Sequence, residues 1–348
     1  MIKANPGRFF EDFKLGETIE HATPRTITSG DVALYQALYG ARFAPQSSAQ
    51  FARALGLADA PVDDLLVFHI VFGKTVPDIS INAIANLGYA EGRFLAPVFV
   101  GDTLSAASQV IGLKENSNRK SGIVYVRTTG LNQNSNTVLS YVRWVMVNKR
   151  DEAAPAAQAS VPDLAKSVAA AELIPPSARF EKYDFKLAGA RHRWGDYAVG
   201  DRIDHIDGQT IEEAEHQLAT RLYQNTAKVH FNAHAQAVSR FGKRLVYGGH
   251  IISIARALSF NGIENAALIL GLNAGAHVAP AFAGDTVYAW SEILETAEAK
   301  ERRDVGYVRL RTVATKNEPC TAFPLRKADG TYRDSVILDL DYWAALPR

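Results

Sequence analysis

Phe10-Glu-Asp-Phe-Lys-Leu-Gly-Glu-Thr-Ile-Glu-His21 returns 184 positions later as Trp194-Gly-Asp-Tyr-Ala-Val-Gly-Asp-Arg-Ile-Asp-His205, with aromatic, Asp, aromatic, Gly and His in register. The same offset pairs Thr26-Ile27 with Thr210-Ile211 and Leu38-Tyr39 with Leu222-Tyr223. An offset of 183 then pairs Ala96-Pro-Val-Phe-Val-Gly-Asp-Thr103 with Ala279-Pro-Ala-Phe-Ala-Gly-Asp-Thr286, and 182 pairs Tyr125-Val-Arg127 with Tyr307-Val-Arg309. Solenoid repeats recur about every 20 to 50 residues, so a period this long with so little drift denotes two diverged copies of one whole domain. Asp151 to Pro162 is rich in Ala and Pro, and Ile174-Pro-Pro-Ser177 adds further breaks. Residues 150–180 therefore read as a connector between an N-terminal copy at 1–149 and a C-terminal copy at 181–348.

A length of 348 residues suits two domains of ordinary size. With 47% hydrophobic and 22% charged residues the composition is that of a folded globular chain. The net charge of +1 provides no field to gather nucleic acid or an anionic membrane, so neither partner is expected, and an anionic ligand must be met by a local patch. The single cysteine, Cys320, excludes an internal disulfide and has no thiol neighbour for zinc. Met1 to Pro6 lacks an apolar leader and no run approaches the ~18 apolar residues of a membrane helix, so a cytoplasmic chain is expected.

Within each copy the pattern runs turn, amphipathic helix, long apolar helix, strands. Val32, Leu34, Tyr35 and Leu38 fall at helical spacing between Asp31 and Tyr39, and Glu212 to Tyr223 behaves likewise; both read as surface-packed helices. Leu65 to Phe72 and His250 to Leu258 are apolar nearly all round, as a helix wrapped by a sheet requires. The Gly101-Asp-Thr and Gly284-Asp-Thr turns lead into strands at Leu104–Val110, Gly122–Thr129, Val138–Val147 and Val305–Val313, which predicts an α+β fold with one antiparallel sheet per copy.

A Pro-x-x-x-Gly-Asp-Thr turn following a buried helix resembles the MaoC-like branch of the hot-dog fold, and the whole chain is then similar to a tandem, or double, hot-dog. That family's hydratase motif runs Gly-Asp-x-Asn-Pro-Leu-His. Here Gln224-Asn-Thr-Ala-Lys-Val-His230 matches it at His230 but carries Asn225 at the Asp position. In the N-terminal copy Ala41 stands opposite Asn225, Gln46 opposite His230, and Leu65 opposite Gly249. The strings Leu65 to Gly73 and Asn225 to Phe231 most resemble mesaconyl-CoA hydratases, also described as β-methylmalyl-CoA dehydratases.

The resemblance implies reversible hydration of an enoyl-CoA by the C-terminal copy, with the N-terminal copy shaping the acyl pocket. His230 is then the acid/base group, its ordinary pKa near 6.5 suiting proton transfer, although a buried, hydrogen-bonded structural histidine would read the same way. Asn225 cannot take up a proton and can only orient water, so His230 both takes and returns the proton or another carboxylate enters, with Asp63 and Asp64 as candidates. Gly249, then Gly248, would aim a helix N-terminal N–H at the thioester oxygen, unless they are packing glycines. Lys228, with Arg256 as runner-up, is the candidate contact for a distal carboxylate, against the plain alternative of solvated cations.

His230 and His234 share an i, i+4 spacing, yet without a companion Glu or third ligand no metal is expected. The sequence contains no Gly-x-Gly-x-x-Gly or Walker loop, and no cofactor beyond the coenzyme A of the substrate is implied. A thioesterase and a non-catalytic acyl-CoA-binding module are the competing readings. Sheet pairing makes a homo-oligomer the expected assembly.

Overall fold

The computed structural model describes residues 3–155 and 158–348. The N-terminal copy contains β1 (Thr18–Thr26), α1 (Ser29–Tyr39), α2 (Ala44–Ser47), α3 (Ala49–Ala54), α4 (Asp64–Thr75), β2 (Ala83–Phe94), β3 (Thr103–Glu115), β4 (Ser121–Leu131) and β5 (Thr137–Asn148). After α5 (Phe185–Ala188), the C-terminal copy repeats this order with β6 (Arg202–Thr210), α6 (Glu213–Leu222), α7 (Lys228–Phe231), α8 (Ala233–Gln236), α9 (Gly248–Leu258), α10 (Phe260–Ile263), β7 (Leu268–His277), β8 (Thr286–Glu298), β9 (Val305–Lys316) and β10 (Val336–Pro347). This is a double hot-dog, with α4 and α9 as the wrapped helices.

The repeated motifs fold alike. Gly101 and Gly284 adopt φ of 99° and 93°, a left-handed turn that a side chain would strain. Asp102 and Asp285 close the two turns by accepting from the N–H of Phe99 and Phe282 at 2.8 and 2.9 Å. His21 and His205 are also equivalent: each places Nε2 2.8 Å from a serine hydroxyl, Ser108 or Ser291, which bonds in turn to Thr128 or Thr312. The histidines that repeat thus tie strand to strand, and the histidines that do not repeat are left for other work.

The sheets differ from the sequence expectation. Ten strands form one antiparallel sheet in the order β1-β3-β4-β5-β2-β7-β10-β9-β8-β6. The join is between β2 and β7, where Gly92 faces Leu272 and Arg93 faces Gly271. A Cβ on Gly92 would fall 2.7 Å from the Leu272 side chain, so glycine is what lets the backbones meet. Each copy alone would leave this edge unpaired, and pairing satisfies its N–H and C=O groups.

The helices α1 and α6 also depart from expectation. Thr28 and Asp31 form a capping box that starts α1, and Gly40 ends it, but its buried face does not merely lie on its own sheet. Tyr35, Leu38 and Tyr39 are buried at the seam with α6 and α9, where the hydroxyls of Tyr39 and Tyr223 meet at 2.7 Å and Tyr39 reaches His250 Nδ1 at 2.8 Å. Tyr39 and Tyr223 are repeat equivalents, so their contact marks the pseudo-twofold axis. Ser253 on α9 likewise accepts from Tyr35 at 3.1 Å and lies 3.1 Å from Nε2 of His69 on α4.

The connector is not a free linker. Val168, Leu173, Ala178 and Phe180 are buried against Phe51, Ala52 and Leu55 of α3 and its C-cap and against Val305, Tyr307 and Trp343 of β9 and β10. No helix among the described residues is long and apolar enough to cross a membrane.

The seam yields a first prediction. An added Cβ at Gly73 would lie 1.6 Å from the carbonyl oxygen of Tyr223 on the other copy. Gly73→Ala is expected to lower unfolding free energy by at least about 1–3 kcal/mol, read from the urea midpoint. An unmoved midpoint would show that α4 does not dock as described.

Candidate active site

The segment after α6 begins with a reversal: Gln224 takes φ of 55° and the Asn225 N–H bonds back to the Thr220 carbonyl at 2.9 Å. Asn225 is buried, and its Oδ1 accepts from the Ala227 N–H at 3.3 Å, which leaves its amide donors for a ligand or water. The short helix α7 then carries His230. Two bonds pin this segment, Gln217 Nε2 to the His230 carbonyl at 3.1 Å and the Leu245 N–H to the Val229 carbonyl at 3.0 Å.

His230 lies with Nδ1 3.0 Å from the Leu245 carbonyl. A carbonyl only accepts, so Nδ1 carries the hydrogen, and in the neutral ring Nε2 is a bare lone pair. Burial pushes the His230 pKa down to about 4, the Leu245 bond opposing and nearby His216 assisting, so the ring is neutral at pH 7. Tyr247 packs on it with ring centroids 5.5 Å apart.

Tyr247 is the N-cap of α9 and offers no side-chain cap; its carbonyl accepts from the His250 N–H at 2.9 Å, and the Gly248 and Gly249 N–H groups stand before it at the positive end of the helix. Both glycines there are sterically required. A Cβ on Gly248 would fall 2.4 Å from the His277 ring, and one on Gly249 would fall 2.3 Å from Tyr247 and 2.6 Å from His69. The structure therefore sets His230 against Tyr247 at the start of α9, where His69 and His277 close on Gly249 and Gly248, with Asn225 five residues earlier on the segment that carries His230.

Other sequence candidates are placed elsewhere. Asp64 accepts from the Ile269 N–H at 2.8 Å, fixing the start of β7, and burial together with Asp63 raises its pKa to about 7. Asp63 caps α4 by accepting from the Leu65 N–H at 2.9 Å. It faces the N-terminal copy's equivalent cleft, a cavity of about 10 Å³ lined by Tyr35, Phe43, Gln46, Asp63 and Leu66. That is room for about one water, and Gln46 is committed to the Ala267 carbonyl at 2.9 Å. The pKa of His230 is shifted by burial, the Leu245 carbonyl and His216, with neither carboxyl among the causes.

Arg256 is neither solvated nor near His230. It is buried 3.7 Å over the Phe43 ring and bonds to the Ala266 carbonyl. Lys228 is exposed at the first position of α7, and His234 is exposed on α8. Sequence reasoning missed His69, His277 and Arg143. Each interrupts an apolar run of a buried helix or strand, and that interruption was the available signal.

A continuous antiparallel sheet around two buried helices defines the fold class as a double hot-dog, in which the two equivalent clefts carry different residues. The chain belongs to the mesaconyl-CoA hydratase family, whose sequence model matches residues 3–327. A mesaconyl-CoA hydratase from Cereibacter sphaeroides is 64% identical over 350 residues, covering all of both chains. A β-methylmalyl-CoA dehydratase from Chloroflexus aurantiacus is 61% identical over 347 residues, covering 99% of each. The crystal structure of a MaoC domain protein from Chloroflexus aurantiacus superposes with a TM-score of 0.98 at 60% identity, covering 100% of this chain and 99% of that one.

The buried and half-buried histidines predict an acid-sensitive fold. Burial is the leading cause that depresses His230, His205 and His277 to about 4 and His69 and His250 to about 3, against 6.5 when unfolded. Below about pH 6.5 the unfolded chain binds more protons than the folded one, so stability falls as pH drops toward about 4; Asp63 and Asp64, both shifted upward by burial, work in the opposite sense but are two groups against five. The urea midpoint is expected to be lower at about pH 5 than at about pH 7. An equal or higher midpoint at the lower pH would show these rings to be charged or exposed.

Proposed function

We infer that the protein catalyses the reversible hydration of mesaconyl-CoA to β-methylmalyl-CoA, with the chemistry in the C-terminal copy. The identity of 61–64% to relatives that bear those two names, over whole chains, supports the reaction. The observation that carries the mechanism is the tautomer of His230: its Nδ1–H is held by the Leu245 carbonyl, and Nε2 is left as a base.

In the hydration direction Nε2 takes a proton from water while the oxygen bonds to the carbon β to the thioester. The electrons of the double bond shift toward the thioester oxygen, where the Gly248 and Gly249 N–H groups offset the developing charge. The imidazolium then returns its proton to the α carbon, so one base serves both transfers. Asn225, with Oδ1 engaged by Ala227, presents its NH2 to orient the water oxygen. A neutral base with a depressed pKa stays active below pH 6.5, so the acid limb of kcat/KM belongs nearer pH 4.

The proposal places the CoA ester between the copies, in the cytoplasm, with no metal or added cofactor taking part. Replacing His230 by Ala is expected to reduce mesaconyl-CoA hydration about 1,000-fold while leaving the urea midpoint within about 1 kcal/mol of wild type. Retention of most activity in His230→Ala would remove the histidine from the mechanism.

A further inference from the structure

β5 turns Arg143 to the inside of the sheet, opposite Tyr89 on β2 and Val126 on β4. The side chain is completely buried, with its guanidinium 4.2 Å from the Phe72 ring. Nη2 donates to Thr75 Oγ1 at 2.7 Å and to Ser80 Oγ at 3.4 Å. Nε and Nη1 have no partner, and among the described residues no carboxylate pairs with this cation. A buried guanidinium without a counter-charge, and with open donors, is among the most unfavourable arrangements a core can hold.

The unpaired groups converge. Tyr89, Tyr141 and Tyr247 surround the cation, and the hydroxyls of Tyr141 and Tyr247 are themselves buried without partners. Nε2 of His277 is in the same state, its ring set edge-on to Tyr89 at 6.1 Å. This polar cluster adjoins the candidate site directly: Phe72 lies 5.8 Å from Tyr247, the residue before Gly248, and His277 covers Gly248. The other buried arginine shows what a purely structural role looks like. Arg256 occupies the repeat position of Phe72, and it is satisfied by the Ala266 carbonyl and by Ser259, with the carboxyls of Asp63 and Asp64 close by.

We propose that Arg143, from the N-terminal copy, binds the distal carboxylate of a dicarboxylic acyl-CoA and so selects the substrate, with the Tyr141 and Tyr247 hydroxyls completing the carboxylate's hydrogen bonds. This rests on the hydratase reading for the direction in which the acyl chain lies. The thioester oxygen is at the start of α9, the chain runs past Tyr247 and His277, and its free carboxylate meets the two open donors of Arg143. Charge-assisted bonds in a water-excluded pocket distinguish strongly between an acyl chain with a carboxylate and one without. The contact assigned from sequence to Lys228 belongs on this view to Arg143.

Calorimetric titration with two unreactive saturated esters, succinyl-CoA and butyryl-CoA, tests the proposal without requiring turnover. Wild type is expected to hold succinyl-CoA more tightly. Arg143→Met should weaken succinyl-CoA by about 100-fold and leave butyryl-CoA unchanged, while the free protein melts no lower than wild type because an unpaired charge has been removed. Arg143→Lys, which keeps the charge on a different donor geometry, should fall between and carries the same comparison if the Met variant does not fold. Parallel weakening of both esters, unchanged succinyl-CoA binding, or no preference in wild type overturns the proposal. A succinyl-CoA preference that Arg143→Met abolishes, in a wild type that does not hydrate mesaconyl-CoA, would instead retain Arg143 as the carboxylate site and reject the assigned reaction.

Discussion

The docking of two copies through their backbones is the constraint on which the rest of the molecule depends. At Gly92 and Gly271 two sheet edges meet, and at Gly73 a helix of one copy lies against the Tyr223 carbonyl of the other, each contact too close for a side chain. These approaches bring α4 alongside α9 and make a common interior from two cores. His69 of one copy then touches Gly249 of the other, and Tyr39 reaches His250. A site at the start of α9 is therefore walled by residues from both halves, which neither half could supply alone.

Duplication followed by divergence explains how the labour is divided. Where the copies agree, as in His21 and His205 with their serines, the residues hold strands in register. Where they differ, the motif residues proposed for chemistry stand in the C-terminal copy opposite packing residues in the other: His230 against Gln46 and Gly249 against Leu65. The N-terminal cleft holds a cavity of about 10 Å³, and the connector packs over the neighbouring α3. The inner sheet face of the same copy carries Arg143.

Much of this was legible in the sequence. The repeat, the two wrapped helices and the Gly-Asp-Thr turns follow from local patterning, while His230 and the glycines come from the family resemblance. What escaped was set by pairing between distant segments. Nothing local says that β2 and β7 share hydrogen bonds, that an Ala/Pro-rich stretch is followed by buried Val168 and Leu173, or that Asp64 is consumed by the Ile269 N–H. A cation's role depends likewise on what the fold puts beside it: Arg256 read as the second candidate for a substrate carboxylate and is satisfied in the core, Lys228 read as the first and is exposed, and Arg143 was hidden in a strand that read as plain sheet.

The central claim is that the shared interior adds water across the double bond of an enoyl thioester and leaves the thioester intact. Mixing the purified protein with mesaconyl-CoA and following enoyl-thioester absorbance together with free thiol addresses it most directly. The account predicts that absorbance falls to an equilibrium value with no thiol released. Thiol release in step with the loss of absorbance would contradict it and assign the site to thioester hydrolysis.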